Sequence, residues 1–153
     1  MNDFEAGVEA YEDANYAAAL AIWEPLAKLG EPRAQDKLGE LYFGGEGVPQ
    51  DFGLAMHWYR LAAEQGFTPA HLAIAYMYAF GVGVVKDVTQ EAEWYRKAAE
   101  LGCMKAQFKI AYMYEHGVGV TQDGAEAMKW FHKAAGQGCP DAQARLSEYG
   151  VNK

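Results

Sequence analysis

Apolar residues recur along this chain at two nested periods. Within short windows they fall three and four positions apart. In "AQFKIAYMYEHG" from residue 106, Ala106, Ile110, Ala111 and Tyr114 share one face of a 3.6-residue period. In "DGAEAMKWFHKAAGQG" from residue 123, Ala127, Trp130, Phe131, Ala134 and Ala135 make a wide stripe. The longer period is 36 residues, read from Tyr42, Tyr78 and Tyr114. The same interval separates Ala34, Ala70, Ala106 and Ala142, then Leu38, Ile74, Ile110 and Leu146, then Trp58, Trp94 and Trp130. Each unit therefore reads as two helices, and no unit can bury both faces of its pair alone. Stacking of neighbours, in an all-α superhelix or solenoid of helix-turn-helix repeats, is the predicted fold class.

The punctuation agrees with that reading. Asp51, Asp87 and Asp123 precede the second helices as N-caps, and Asp123 with Glu126 has capping-box spacing. Gly66, Gly102 and Gly138 stand where a left-handed C-cap is needed, and Pro32, Pro69 and Pro140 at the mouths of the next first helices. Pro25 falls inside a helix expected from Tyr16 to Leu29, where it should produce a bend. The stretch "YAFGVGV" at 78–84 resembles a phosphate loop only superficially. A dinucleotide site places its glycines once, between a strand and a helix. Here Gly47, Gly83 and Gly119 recur between two helices, so they predict a turn, with Val48, Val84 and Val120 tucked beneath it. Ala62–Ala63 and their copies are expected to receive the Tyr42, Tyr78 and Tyr114 rings.

These residues resemble the Sel-1-like repeat, a relative of the tetratricopeptide repeat with a longer loop. The shared pattern is A-x-x-x-L-G-x-x-Y-x-x-G-x-G-V, then D, then A-x-x-W-Y-x-x-A-A-x-x-G. The resemblance implies a single repeat domain over residues 1–153. Its copies are 34–69, 70–105 and 106–141, preceded by a tetratricopeptide-like unit at 4–33 and followed by a half-repeat helix at 142–153. The cysteine-rich branch of the family carries a Cys pair in each repeat. This chain has Cys103 and Cys139, one position in consecutive copies, so the β-lactam-related activity suggested for that branch is not carried over. Stacked helices lie roughly 8–10 Å apart, beyond the roughly 7 Å Cα limit of a disulfide, so both thiols are expected reduced.

Composition narrows the function. A formal charge of -8 argues against nucleic-acid binding, which needs a basic footprint. Most of the excess acid lies before residue 37, where Asp3, Glu5, Glu9, Glu12, Asp13, Glu24, Glu31 and Asp36 face only Lys28 and Arg33. No apolar run is long enough to span a membrane. The opening "MNDFEAGVEA" lacks the basic and apolar regions of a signal peptide, so none is expected. The compartment stays open: cytoplasmic or, if a leader was removed, periplasmic or secreted. His57, His71, His116 and His132 show no metal-ligand spacing, and His71 and His132 are expected in exposed polar slots. The one serine, Ser147, lies in no nucleophile motif. No enzyme activity, cofactor or metal is expected.

The family resemblance implies that first helices line a concave groove for a protein or peptide. Outward positions would be Arg33, Asp36, Glu40 and Phe43, then Leu72, Tyr76, Ala79 and Phe80, then Lys105, Phe108, Tyr112 and His116, then Asp141, Ala144, Arg145 and Glu148. The groove candidates are Phe43, Leu72, Tyr76, Phe80, Lys105, Phe108, Tyr112 and His116. Tyr76 and Tyr112 have two readings, as exposed hot-spot aromatics or as rings that stack between repeats. The leading expectation is a non-enzymatic adaptor or scaffold. The alternatives are a hydrolase of cell-wall or β-lactam-like substrates, and a structural oligomer that pairs through Leu146 and Tyr149 of the C-terminal half-repeat.

Overall fold

The computed structural model describes residues 2–150, which form nine helices and no strand. In chain order they are α1 (Asp3–Glu12), α2 (Tyr16–Lys28), α3 (Pro32–Gly44), α4 (Phe52–Glu64), α5 (Thr68–Phe80), α6 (Val88–Glu100), α7 (Met104–His116), α8 (Gly124–Gly136) and α9 (Pro140–Glu148). The chain forms two compact units, one up to Ile74 and the other from Ala75.

In the first unit, Trp23 of α2 is fully buried with Ala19, Ala27, Ala34, Leu38 and Leu41. Its indole N–H donates to the Phe4 carbonyl at 3.1 Å, which satisfies the one polar group such a ring carries inward. Gly7 of α1 makes room for it, since a Cβ there would lie 2.2 Å from the indole nitrogen. The next pair repeats the device: a Cβ on Gly39 of α3 would lie 2.5 Å from the Tyr59 ring of α4. Pro25 lies within α2. Leu26 packs on the core beside it.

The second unit buries Ile110, Ala111 and Met113 of α7 and Ala127, Trp130, Phe131 and Ala134 of α8. Phe131, in register with Trp23 and Tyr59, is fully buried. The residue after the repeat tryptophan position is thus buried at Tyr59 and Phe131, whereas the middle copy buries Trp94 and leaves Tyr95 half-buried. Tyr42, Tyr78 and Tyr114 are half-buried.

Caps and turns are built as the sequence predicts, with one exception. Asp51, Asp87 and Asp123 each accept from backbone N–H groups of the first turn. Their own N–H groups donate to the carbonyls of Tyr42, Tyr78 and Tyr114 at 2.9, 3.0 and 2.9 Å. The Asp123 N–H is thereby occupied, and the return half of the expected capping box is absent. The Glu126 carboxylate takes Lys129 instead.

The glycine turn has a tertiary purpose. Gly119 has φ +69°, and a Cβ there would lie 2.1 Å from the Val88 carbonyl oxygen at the start of α6. Gly47 meets Tyr16, the first residue of α2, in the same way. Each loop thus lies on the N-terminus of the preceding second helix.

Candidate functional site

The groove candidates fall partly in each unit. In the first, Phe43 is half-buried with its ring edge-on to Phe52 at 5.4 Å, and Leu72 is half-buried. The second unit holds Tyr76 and Phe80 on α5 and Phe108, Tyr112 and His116 on α7. Tyr76 and Tyr112 are both 48 % exposed. Each ring rests on the residue one turn later in its own helix: Tyr76 on Phe80 at 4.7 Å, Tyr112 on His116 at 4.1 Å. Phe80 is itself 68 % exposed. The i,i+4 geometry of a helix makes such pairs cheap to hold. It yields two aromatic ridges in one register.

Phe108 behaves differently. It is half-buried, 5.8 Å from the Phe131 ring, so it belongs as much to the core as to the surface. Lys105 is exposed one turn before it. The His116 Nδ1 lies 2.9 Å from the Tyr112 carbonyl and 3.5 Å from the Glu115 carboxylate.

The half-repeat α9 joins α7 through charge. Arg145 donates to both Glu115 oxygens at 2.9–3.1 Å and to Glu148 at 2.8 Å. The Tyr149 hydroxyl also donates to Glu115. Burial pushes the Glu115 carboxyl up, but the hydrogen bonds from Arg145 and Tyr149 outweigh it and hold it below its ordinary value. Leu146 is buried at 1 % exposure. It cannot serve as the open apolar contact expected of it, which leaves Tyr149, 53 % exposed, at the mouth of a cavity of about 350 Å³. Ala127, Met128 and Phe131 form the apolar wall of that cavity.

Two further expectations are corrected. His71 is buried, with Nδ1 3.0 Å from the Phe67 carbonyl. Its slot is interior in the three full copies, because Gln35 and Gln107 are buried too. In the first unit Gln35 donates to the Ala27 carbonyl while accepting from Gln65 at 2.9 Å. In the second, Gln107 donates to Ala99 and accepts from Gln137 at 2.7 Å. The middle copy carries His71 and Leu101 at these positions. His132 and His57 are exposed.

Asp36, expected to point outward, is 6 % exposed. Burial, then repulsion from Glu40, push its carboxyl up to about 7. The signal was present in the sequence: the same slot holds Leu72, Phe108 and Ala144, two of them large and apolar.

Among the described residues no group of His, Cys, Asp and Glu could hold a metal ion. No helix among them is long and apolar enough to cross a membrane. Cys103 and Cys139 are free thiols, half-buried and buried at the starts of α7 and α9.

Several solved structures share this architecture. A Sel1 repeat protein from Oxalobacter formigenes is 39 % identical, with a TM-score of 0.79 over 84 % of this chain and 97 % of that one. A protective antigen of uropathogenic Escherichia coli displaying an SLR fold is 34 % identical, with a TM-score of 0.89 over 98 % of this chain. This chain spans 34 % of that antigen's length. Helicobacter pylori cysteine rich protein B is 25 % identical, with a TM-score of 0.63 over 74 % of this chain and 90 % of that one. No curated protein matches the chain. The fold class is thus the all-α helical-repeat solenoid, a fold commonly used as a protein-interaction scaffold. The family model of the Sel1 repeat matches residues 32–67, 68–103 and 105–139, starting with α3 and α5, and the chain belongs to the Sel1 repeat family.

Proposed function

We propose that this chain is a non-enzymatic adaptor that binds a segment of a partner protein along the faces of its first helices. The observation that carries the reading is the pair of aromatic ridges in the second unit. Tyr76 with Phe80, and Tyr112 with His116, leave large rings exposed in equivalent positions on α5 and α7. Neither tyrosine is required by the core, which is closed by Met77, Ile110, Ala111 and Met113 at full or nearly full burial. Exposed aromatics on a rigid, preorganised face are what an interface hot spot uses. Lys105 supplies a charged rim residue.

The test is a capture experiment with the source organism's proteins, followed by affinity measurement on the partner recovered. Tyr76→Ala with Tyr112→Ala should leave the helical circular dichroism intact and weaken binding at least about tenfold, since a lost hot-spot ring costs ~2 kcal/mol or more. A double variant that unfolds, while the folded fraction binds as before, makes the tyrosines structural and sinks the reading.

The apolar cavity beside Tyr149 favours a second reading, self-association through the C-terminal half-repeat. Sedimentation of wild type against Met128→Asp decides it: a wild-type chain that stays monomeric at high concentration rules self-association out.

A further inference from the structure

A glycine turn needs a seat, and the start of a second helix supplies it. In the first unit Gly47 lies on Tyr16, and Val48 packs on the core that Tyr16 and Leu20 border. In the second unit Gly119 lies on Val88, where a Cβ would also meet the Ala92 Cβ at 3.2 Å, and Val120 is half-buried. The same registers recur on α8: Gly124 corresponds to Tyr16 and Val88, and Met128 to Leu20 and Ala92. Here the seat is open. A Cβ on Gly124 would meet nothing within 4 Å. Gly124 and Met128 line the cavity of about 350 Å³, with Ala127, Phe131, Glu115 and Tyr149. Tyr149 is in register with Leu41, Met77 and Met113, all buried, yet it stays exposed.

The docking surface thus continues an interface that the chain already makes twice, and that interface specifies what covers it. We propose that the seat on α8 docks a partner chain through a Gly-x-Gly-Val turn that leads into an aspartate-capped amphipathic helix. A glycine at positive φ lets the partner backbone reach the α8 N-terminus without a Cβ in the way. The valine is a small apolar group for the wall of Ala127, Met128 and Phe131, and the flexible methionine can adjust to it. No cation is required of the occupant, because Arg145 already pairs with Glu115. Self-association would use the same seat, but a second copy fits it less well. Its Gly47 and Gly119 turns are seated within their own chain. The turn between its α1 and α2, Asp13–Ala14–Asn15, has neither glycine nor valine. The inference goes beyond the adaptor reading, since it concerns α8 and not the first-helix faces.

The probe is a synthetic peptide copying residues 116–138, a glycine turn with its following helix, titrated into the full chain labelled with carbon-13 at the methionine methyls. The peptide should move the Met128 resonance and leave Met56, buried at the same register in the first unit, unmoved. The same peptide with Gly119→Ala should bind at least about tenfold more weakly, because a left-handed alanine costs about that much. In the receptor, Met128→Asp should weaken the peptide by at least about tenfold. Gly124→Val should not, since Val88 carries its turn at that register. An unmoved Met128 resonance, or equal binding of the two peptides, would overturn the proposal. So would a chain that dimerises in sedimentation through a Met128 contact the peptide cannot displace, which makes a second copy the occupant. Should Met128→Asp not fold, the comparison of the two peptides needs no change in the receptor. The chain with Tyr76→Ala and Tyr112→Ala should bind the peptide as wild type does, so failure of the adaptor reading would leave this measurement standing.

Discussion

Helices α3 and α7 occupy equivalent places in their units, and their inward positions match: Ala34 with Ala106, Leu38 with Ile110, Leu41 with Met113, all buried. Their other faces have opposite chemistry. Where α7 presents Phe108 and Tyr112, α3 presents Asp36 and Glu40. The repeat thus separates two jobs. The core register and the turn devices are common to both units, while the first-helix face varies without disturbing them. A substitution in a shared device should therefore hurt both units alike, and a substitution on the face should act differently in each.

The largest expected effect is on the acidic face. The rise of the Asp36 carboxyl from 3.8 to about 7 corresponds to roughly 4 kcal/mol once the group is ionised in the folded state. The sign follows from linkage: the unfolded chain ionises first, so wild type loses stability as pH rises from about 4 through about 7. Denaturant melts of Asp36→Asn should show a gain of that order at about pH 8 and little gain at about pH 3. Glu40 and Lys37 on α3, Tyr59 on α4 and Tyr11 on α1 are the charged and titratable neighbours. Burial, then Glu46, hold Tyr11 up at about 12, so it stays neutral across the range. A gain that does not change with pH would mean that the carboxylate is not the cause.

Next come the turn glycines, as a shared device. Gly119→Ala forces a left-handed alanine against the Val88 carbonyl, and thermal melts should show a loss of roughly 2–4 kcal/mol. Gly47→Ala, whose nearest clash is the Tyr16 Cβ at 2.9 Å, should lose somewhat less, roughly 1–3 kcal/mol. Neither should alter partner affinity per folded molecule. A variant that folds normally but loses nucleotide binding would restore the phosphate-loop reading.

A smaller effect is expected from the glutamine pairs. Gln65→Leu and Gln137→Leu each remove donations to a carbonyl and to a buried amide. Each should cost about 1–2 kcal/mol, and similarly in the two units. Leu101 shows that the middle copy does without the donor. Smallest of all is Lys105→Ala, which should leave stability unchanged and flatten the salt dependence of partner association.

Much of this was legible in the sequence, for a physical reason. Aspartate N-caps, left-handed glycines and apolar spacing act within a few residues, so Asp51, Gly66 and Ile110 could be placed without knowing their neighbours. Readings failed where a side chain's fate depends on the adjacent helix. Polar type put His71 and Asp36 outside, but their register in the repeat put them inside. Trp23, Tyr59 and Phe131 are buried while the Tyr42 series is half-buried, and Gly7 and Gly39 on the facing helices leave room for the Trp23 and Tyr59 rings. The capping box at Asp123 failed for the same kind of reason, since the Tyr114 carbonyl reached the Asp123 N–H first.

The sequence by itself determined the repeat, the helices, the turns and the family, because periodicity and local backbone chemistry need no partner. Only the tertiary structure decided which tyrosines stay exposed, that Leu146 is closed over, and that Asp36 is largely buried. Those outcomes are settled by which groups of separate helices compete for one volume and one set of hydrogen bonds, and no local spacing encodes that competition.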